Sequence, residues 1–381
     1  VLRRHPWIFS GAVGRTDGDS GDGGLVEVLD SGGNWLARGI WSDRSQISIR
    51  LLTWDADERI DNDFWVRRVS RAAVRRRTLA QDPTTDSYRV IHGESDGLPG
   101  LVVDRYGDFL VAQFLTAGVE LCREEILTAL SATLDIKGIY ERSDVEVREK
   151  EGLRERSGLL SGEEPPSPME ISENSRRFLV DIQTGQKTGF YLDQRENRAR
   201  LTSLCEGKEV LDCFAYTGGF AIYAALGGAD KVTLVESSEP ALAIAGKNLD
   251  LNGIAKEKYA LEEGDVFSVL RGYRAQNRSF DLIVLDPPKL APTRRSVDRA
   301  SRAYKDVNLL AFQLLRPGGV LFSFSCSGAI SADLFQKILF GAALDAGRDA
   351  QIVGVLGQGA DHPVALTFPE GAYLKGLVCR V

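Results

Sequence analysis

The chain lacks any run approaching about 18 uninterrupted apolar residues, which leaves no candidate for a helical membrane span. Its first segment, "VLRRHPWIFSGAV", has no apolar core of the kind a secretory signal needs, and it opens on Val rather than Met, as a trimmed start would. Cysteine is scarce and unpaired. The five (122, 205, 213, 326 and 379) form no CxxC, and the three histidines (5, 92 and 362) stand at no zinc spacing. A disulfide framework and a metal module are therefore not expected, and a reducing cytoplasm is. No G-x-G-x-x-G follows a strand, and no Walker lysine follows a glycine cluster, so neither a dinucleotide fingerprint nor a phosphate cradle is present. A positive excess is also missing. With 47 basic against 54 acidic residues the net charge is −7, which argues against indiscriminate nucleic-acid binding. No internal repeat or low-complexity tract occurs.

What is present reads as a soluble protein of 381 residues with two or three domains. Residues 1–66 read as short strands with glycine-rich turns. "GGLVEVLDSGGNWLARGIW" is a hairpin turning at Ser31-Gly32-Gly33, and "QISIRLLTW" is another strand. A helix over 61–80 ends before Asp82-Pro83. Residues 67–170 mix strands with a helix in "ELCREEILTAL", read "GIYERSDVEVR" as strand, and close on the proline-rich "SGEEPPSPME". From 171 to 381 the pattern changes to strands alternating with helices. These are "EVLDCF", a helix at 218–226, "KVTLVE", a helix at 239–251, "YALEEGDV", "FDLIVLD", a helix at 303–315, "VLFSFS", a helix at 332–346 and a final pair of strands. Apolar strands separated by helices indicate a doubly wound, mostly parallel α/β sheet. Ser238 caps one helix, and Asn252-Gly253 ends it. Arginine is clustered in "RRVSRAAVRRR" (67–77) and "RRSVDRASR" (294–302), either as solvated helix faces or as substrate contacts.

Ligands of such sheets bind at the carboxyl ends of the strands. Three landmarks fall there. "LDCFAYTGGFAI" brings glycines to a helix start, Glu236 is placed to accept from a ribose diol, and Asp265 can take an adenine amino group with the Val266 N–H donating. Together they favour an adenosine ligand without pyrophosphate. S-adenosylmethionine fits, and residues 171–381 resemble the layout of class I methyltransferases. The next strand ends in Asp286-Pro287-Pro288-Lys289, a rigid turn typical of enzymes that methylate extruded nucleobases. Cys326, in "FSFSCSGAIS", ends the strand after it. A thiolate there can add to carbon 6 of a pyrimidine and make carbon 5 nucleophilic. Asp286 can bond N3 of cytosine, and Lys289 with the following helix N-terminus can lower the thiol pKa. The other four cysteines read as core fillers, and only His362 among the histidines is a candidate to approach the site.

"RRHPWIFSGAV", "GESDGLPGLVVDRYGDF", "IYERSDVEVREKEG", "DIQTGQKTGFYLDQRENR", "CFAYTGGF", "LDPPK", "FSCSG" and "DHPVALTFPEGAYLKGLVCRV" resemble the ribosomal RNA large-subunit methyltransferase I family nearly end to end. The resemblance implies an N-terminal β-barrel PUA domain, a small central α+β domain and a C-terminal Rossmann-like catalytic domain. It implies S-adenosylmethionine as donor, S-adenosylhomocysteine as product, and 5-methylcytosine formation in 23S rRNA, at cytosine 1962 in the usual numbering. The nucleophile of the SCS motif maps onto Cys326. Cofactor contacts map onto Asp212, Phe214, Ala215, Tyr216, Thr217, Gly218 and Gly219, onto Glu236 with Ser237, onto Asp265 with Val266, and onto Asp286 with Pro287. Phe190, Asp193 and Arg195 belong to a segment that helps enclose the cofactor. A PUA domain grips folded RNA by shape and local basic patches, which reconciles RNA work with an acidic chain. Arg67–Arg77 and Arg294–Arg302 then become phosphate contacts. The partner is 23S rRNA and not a membrane, and a homodimer is a candidate assembly. Rival readings are a uracil-5 methyltransferase, a guanine-N7 or amino-group methyltransferase, and a non-catalytic RNA-binding module.

Overall fold

A computed structural model describes residues 1–18, 21–291 and 293–381, apart from the side chain of Arg294. The chain divides into two compact units. One holds residues 1–173, 180–192 and 360–371, and the other holds 174–179, 193–359 and 372–381. None of the described helices is long and apolar enough to cross a membrane.

The first unit begins with an antiparallel sheet in the order Trp7–Phe9, Ile47–Thr53, Trp35–Trp41, Leu25–Leu29. Its outer strands are not paired to each other among the described residues. The expected hairpin turn is present. Asp30 Oδ1 accepts from the Gly32 and Asn34 amides, and Gly33 takes a left-handed φ of 84° that a side chain would oppose.

The helix Asn62–Arg75 starts at Asp61, whose carboxylate accepts from the Phe64 amide. It buries Phe64, Trp65, Val69 and Ala72 on one face. This face joins a core with the five-stranded sheet Ser87–His92, Leu101–Tyr106, Phe109–Phe114, Gly138–Arg142, Ser157–Gly162. Each large apolar side chain buried this way contributes about 1.5–3 kcal/mol. The arginine run splits by direction. Arg67, Arg71 and Arg75, four residues apart, are exposed. Arg68 turns in to Glu58 and the Leu52 carbonyl, and buried Arg76 binds Asp96 at 2.7 Å and the Asp361 carbonyl. A phosphate role is thus corrected for Arg68 and Arg76, which are internal struts.

Two further expectations change. "ELCREEILTAL" is broken at Cys122 into Ala117–Leu121 and Arg123–Thr133, where the Arg123 guanidinium turns in to Glu141. The strand in "GIYERSDVEVR" stops at Arg142, whose side chain reaches the Ile182 and Gly185 carbonyls, and a 3-10 turn follows at Glu146–Glu151.

The second unit is built on a seven-stranded sheet. Its order is Tyr259–Glu263, Lys231–Glu236, Glu209–Cys213, Phe280–Leu285, Leu315–Ser325, Lys375–Arg380, Gln351–Leu356. The first five strands are parallel, Lys375–Arg380 runs antiparallel to them, and Gln351–Leu356, antiparallel to Lys375–Arg380, returns to their direction. The order reverses between Glu209–Cys213 and Phe280–Leu285, and the crevice for a ligand opens at that switch. The helix Val297–Leu314 begins earlier than its apolar pattern predicts and buries Ala300, Tyr304, Val307, Ala311 and Leu314 as one stripe. A helix at Val266–Ala275, missing from the sequence reading, connects two strands and buries Val266, Leu270 and Tyr273.

Candidate active site

The strand Glu209–Cys213 runs into a loop whose backbone is strained. Phe214 and Tyr216 have positive φ (61° and 47°), costly for large side chains, and Gly218 has φ 83°. A Cβ on Gly218 would lie 3.2 Å from Ala245 Cβ, so both conformation and space require glycine there. Three contacts fix the loop. The Ala215 amide donates to the Val235 carbonyl, the Asn248 side chain to the Thr217 carbonyl, and the Tyr216 amide to Glu236. Thr217 Oγ1 is buried with no hydrogen-bond partner among the described residues. The helix Gly219–Leu226 follows at once.

Glu236, buried at the end of its strand, has backbone partners on both sides. Oε2 accepts from the Tyr216 amide at 2.9 Å, and Oε1 accepts from the Ser237 and Ser238 amides at 2.8 and 2.9 Å. The carboxylate therefore ties the strained loop to the next helix start, with one lone pair of Oε2 uncommitted among the described contacts. Ser237 is exposed and adds its hydroxyl to Oε1. Asp265 is exposed at the start of Val266–Ala275 and does not cap that helix with its side chain, while Val266 is buried.

Asp212 is fully buried and accepts from the Ala221 amide at 3.0 Å. Burial pushes its pKa up to about 8, and the carboxylates of Asp286 and Glu236 push in the same direction. Asp212 therefore keeps its proton at neutral pH, and the acidic charge of this edge is left to Glu236, Asp265 and Asp286, a set that suits a ligand carrying a sulfonium and an ammonium. The fit to S-adenosylmethionine rests on that charge, on the orphaned Thr217 hydroxyl and on the exposed Asp265.

The turn Asp286–Lys289 follows the neighbouring strand, with the Asp286 amide 3.5 Å from the Cys213 carbonyl. Asp286 is half-buried, Pro287 buried and Lys289 exposed. Cys326 is partly exposed just past Ser325, its thiol 4.0 Å from the Pro287 carbonyl. The flanking serines explain its direction. Side chains alternate along an extended chain, so Ser325 and Ser327 point inward. Buried Tyr304 receives them. Ser325 Oγ donates to its hydroxyl at 2.9 Å, and Ser327 Oγ lies 3.1 Å from it. Ser327 Oγ also accepts from the Ala291 amide, which fastens the end of the Asp-Pro-Pro loop to the cysteine strand. Burial raises the Tyr304 pKa, and the nearby Cys326 charge acts the same way.

Lys375 completes the group. It pairs with Ser325 across antiparallel strands and donates to the Ser327 carbonyl at 2.7 Å. Burial lowers its pKa, the Cys326 charge opposes that, and Lys289 adds to it. Lys375 therefore lies near the thiol, with Lys289 close to Lys375. The following helix N-terminus is capped by its own Ser331.

The remaining residues are placed differently. Asp193 is buried, and it accepts from the Tyr373 hydroxyl at 2.6 Å and from the Gly359 amide. Arg195 is buried at the start of Arg195–Thr202. Phe190 lies buried in the other unit with its backbone on the Tyr106 hydroxyl. His362 also belongs to that unit, 3.2 Å from Asp361 and against the ring of His92. The other cysteines are poor nucleophiles. Burial raises Cys122 and Cys379 to about 11, Cys205 to about 12, and Cys213 well above its ordinary value.

Sequence reasoning gave no role to Tyr304 or Lys375. The alternation in Ser-Cys-Ser was a usable signal for an inward partner. Lys375 left none, since it stands 48 residues from Ser327 and only strand pairing brings it back.

Comparison with known proteins agrees with this geometry. Residues 142–349 match the S-adenosylmethionine-dependent methyltransferase family, and residues 1–54 match a PUA-like domain. The chain is 50% identical over 381 residues to the ribosomal RNA large subunit methyltransferase I of Erwinia tasmaniensis, covering 100% of this chain and 96% of that one. The protein of that name from Aeromonas salmonicida is 52% identical over 380 residues, with the same coverage. Among solved structures, a Streptococcus mutans protein described as a SAM-dependent methyltransferase superposes with a TM-score of 0.87 at 22% identity, covering 100% of this chain and 96% of its own. A methyltransferase crystallised with S-adenosylhomocysteine superposes with a TM-score of 0.88 at 23% identity and the same coverage. With a strained glycine loop, an acidic ligand edge and full-length similarity of this order, the chain belongs to the ribosomal RNA large subunit methyltransferase I family of S-adenosylmethionine-dependent methyltransferases.

Proposed function

We propose that this enzyme methylates carbon 5 of a cytosine in 23S rRNA, at position 1962 in the usual numbering, through a covalent adduct with Cys326. One observation carries the reading. Of five cysteines, Cys326 alone stands at the carboxyl edge of the sheet, partly exposed, against the Asp-Pro-Pro turn and near Lys375. A guanine-N7 or amino-group transfer needs no thiol, and a binding module needs neither the thiol nor the acidic ligand edge.

S-adenosylmethionine, held by the 214–219 loop, Glu236 and Asp265, supplies an electrophilic methyl group when bound. The work of the chain is to make carbon 5 a nucleophile. The Cys326 thiolate adds to carbon 6, the S–C bond forms, and the ring electrons move to carbon 5. Asp286 holds N3 and steadies the charge on the ring. Lys375 and Lys289 favour the thiolate before attack. After carbon 5 is methylated it gives up its proton to a base, the S–C6 bond breaks, and the thiolate is restored. Pro287 and the buried serine–tyrosine cluster keep the sulfur and the base edge in fixed relation.

The test uses unmodified large-subunit RNA and labelled donor. Cys326→Ala abolishes transfer while S-adenosylhomocysteine binding persists. RNA carrying 5-fluorocytosine traps the wild-type enzyme as a protein–RNA species, since fluorine cannot leave carbon 5 as a proton does. Full turnover by Cys326→Ala would reject the covalent route, and methylguanine as the product would reject the base.

A further inference from the structure

The first unit holds a second concave site, a cleft of about 480 Å³ lined by Arg4, Arg68, Arg71, Arg75, Trp54 and Gly97. Its floor is the bare Cα of Gly97, in a left-handed turn with φ 73°. A Cβ there would stand 3.1 Å from Arg71 Nη2 and 3.2 Å from Arg68 Nη1. Only glycine lets both guanidiniums close over the turn, so the two nitrogens lie within about two hydrogen-bond lengths of each other. Like charges are not gathered this way without cost.

Two of the cleft arginines, Arg68 and Arg75, already have carboxylate partners, which leaves Arg71. Glu58 takes Arg68 and Arg67, buried Asp96 takes Arg76 as well as Arg75, and Glu94 accepts from the Trp7 indole. Asp55 is the remaining acid on the rim. Among the described residues Arg71 has no ion-pair partner; burial and the like charge of Arg75 lower its pKa, and Glu58 and Asp96 act the other way from a distance. The Trp54 indole Nε1 is buried at the same cleft and has no hydrogen-bond partner among the described residues. A ligand that brings anionic oxygens would neutralise Arg71 and accept from that N–H. The space admits a nucleotide.

We propose that this cleft binds a backbone phosphate of the RNA substrate, held by Arg71 with Arg75, while Trp54 donates to an oxygen of the same nucleotide. The assignment rests on the RNA reading above and adds to it a contact outside the catalytic unit. Arginine suits the task because its planar fork matches phosphate oxygens.

The test measures binding of unmodified large-subunit RNA over a range of salt. Arg71→Ala weakens binding roughly tenfold, as for one charged hydrogen-bonded contact. The slope of log K against log salt falls by about 1. KM for RNA rises while kcat holds. Lys256→Ala, which removes an exposed cation paired with Asp250 in the other unit, serves as the charge control and leaves binding near the wild-type value. Unchanged affinity and slope in Arg71→Ala, or an equal loss in Lys256→Ala, overturns the proposal. So does displacement of RNA by about 1 mM inorganic phosphate in an Arg71-dependent way, because millimolar affinity for free phosphate identifies a small-anion site. A wild-type enzyme that neither binds nor methylates the RNA would sink the RNA reading first, and this cleft with it.

Discussion

Lys375 and Ser327 are joined by a 2.7 Å hydrogen bond from ammonium to carbonyl, one residue beyond the cysteine proposed as nucleophile. The bond follows from strand register, since Ser325 and Lys375 are cross-strand partners. It fixes a cation beside the thiol, where it favours the thiolate. Lys375→Met should raise the thiol pKa by about one unit and slow both alkylation of Cys326 and methyl transfer about tenfold at pH 7. The acid limb of the pH–rate profile should move up by the same amount. Burial lowers the pKa of Lys375 itself, so the wild-type cation discharges at a lower pH than an exposed lysine would. The wild-type profile therefore bends down on the alkaline side, and Lys375→Arg removes that bend. An acid limb that does not move in the Met variant would rule the role out.

Tyr304 anchors the serines on either side of Cys326. Tyr304→Phe leaves the Ser325 hydroxyl buried without its acceptor and should cost about 1–3 kcal/mol of stability in urea unfolding. The sulfur loses its support as well, so kcat falls while KM for RNA stays put. A variant with wild-type kcat would show that the cluster is only filler.

Asp212 carries a pH signature. Folding raises its pKa from an ordinary 3.8 to about 8. The folded state keeps a proton that the unfolded chain gives up, so the contribution is fully favourable below about pH 3.8 and is lost as pH rises to about 8. Asp212→Asn cannot ionise. The stability of the variant relative to wild type should therefore climb between pH 5 and pH 8, measured by denaturant unfolding at several pH values. A constant difference across that window would contradict the burial of this charge.

Glu236 ties the 214–219 loop and is proposed to hold the cofactor, and removing it should test both. Glu236→Ala should weaken S-adenosylhomocysteine binding by about 1–3 kcal/mol in calorimetry. Amide exchange at Tyr216 should accelerate, because its acceptor is gone. Slower binding without faster exchange would mean that the loop holds its shape unaided.

Gly376 faces Phe324 closely enough that a Cβ would lie 2.6 Å from the ring. Gly376→Ala should cost about 1–3 kcal/mol through overpacking and disturb the strand that ends at the nucleophile. Wild-type thermal stability would disprove that contact.

The catalytic sheet was legible because its strands are buried on both faces and read as apolar runs such as "LIVL" and "VLFSF". Landmarks at strand ends were legible for the same reason, since topology alone brings 213, 236, 285 and 325 to one edge. The helix Val266–Ala275 escaped because "FSVLRGYRA" carries a glycine and β-favouring residues, and tertiary packing outweighs that local preference. The arginine run was ambiguous for a different reason. Six like residues in a run of eleven look alike in sequence, yet the helix that ends at Arg75 and the break at Arg76 send Arg68 and Arg76 inward and the others out. Charge type was readable, and direction was not.

The serine–tyrosine cluster has a consequence for how this enzyme can change over time. The sulfur is mounted from behind, by groups that no substrate touches. Residues on the outer rim of the crevice can therefore be exchanged to suit a different RNA contour without detuning the attacking atom. The interior of the long helix at 297–314, by contrast, is held to its present side chains as firmly as the reactive cysteine.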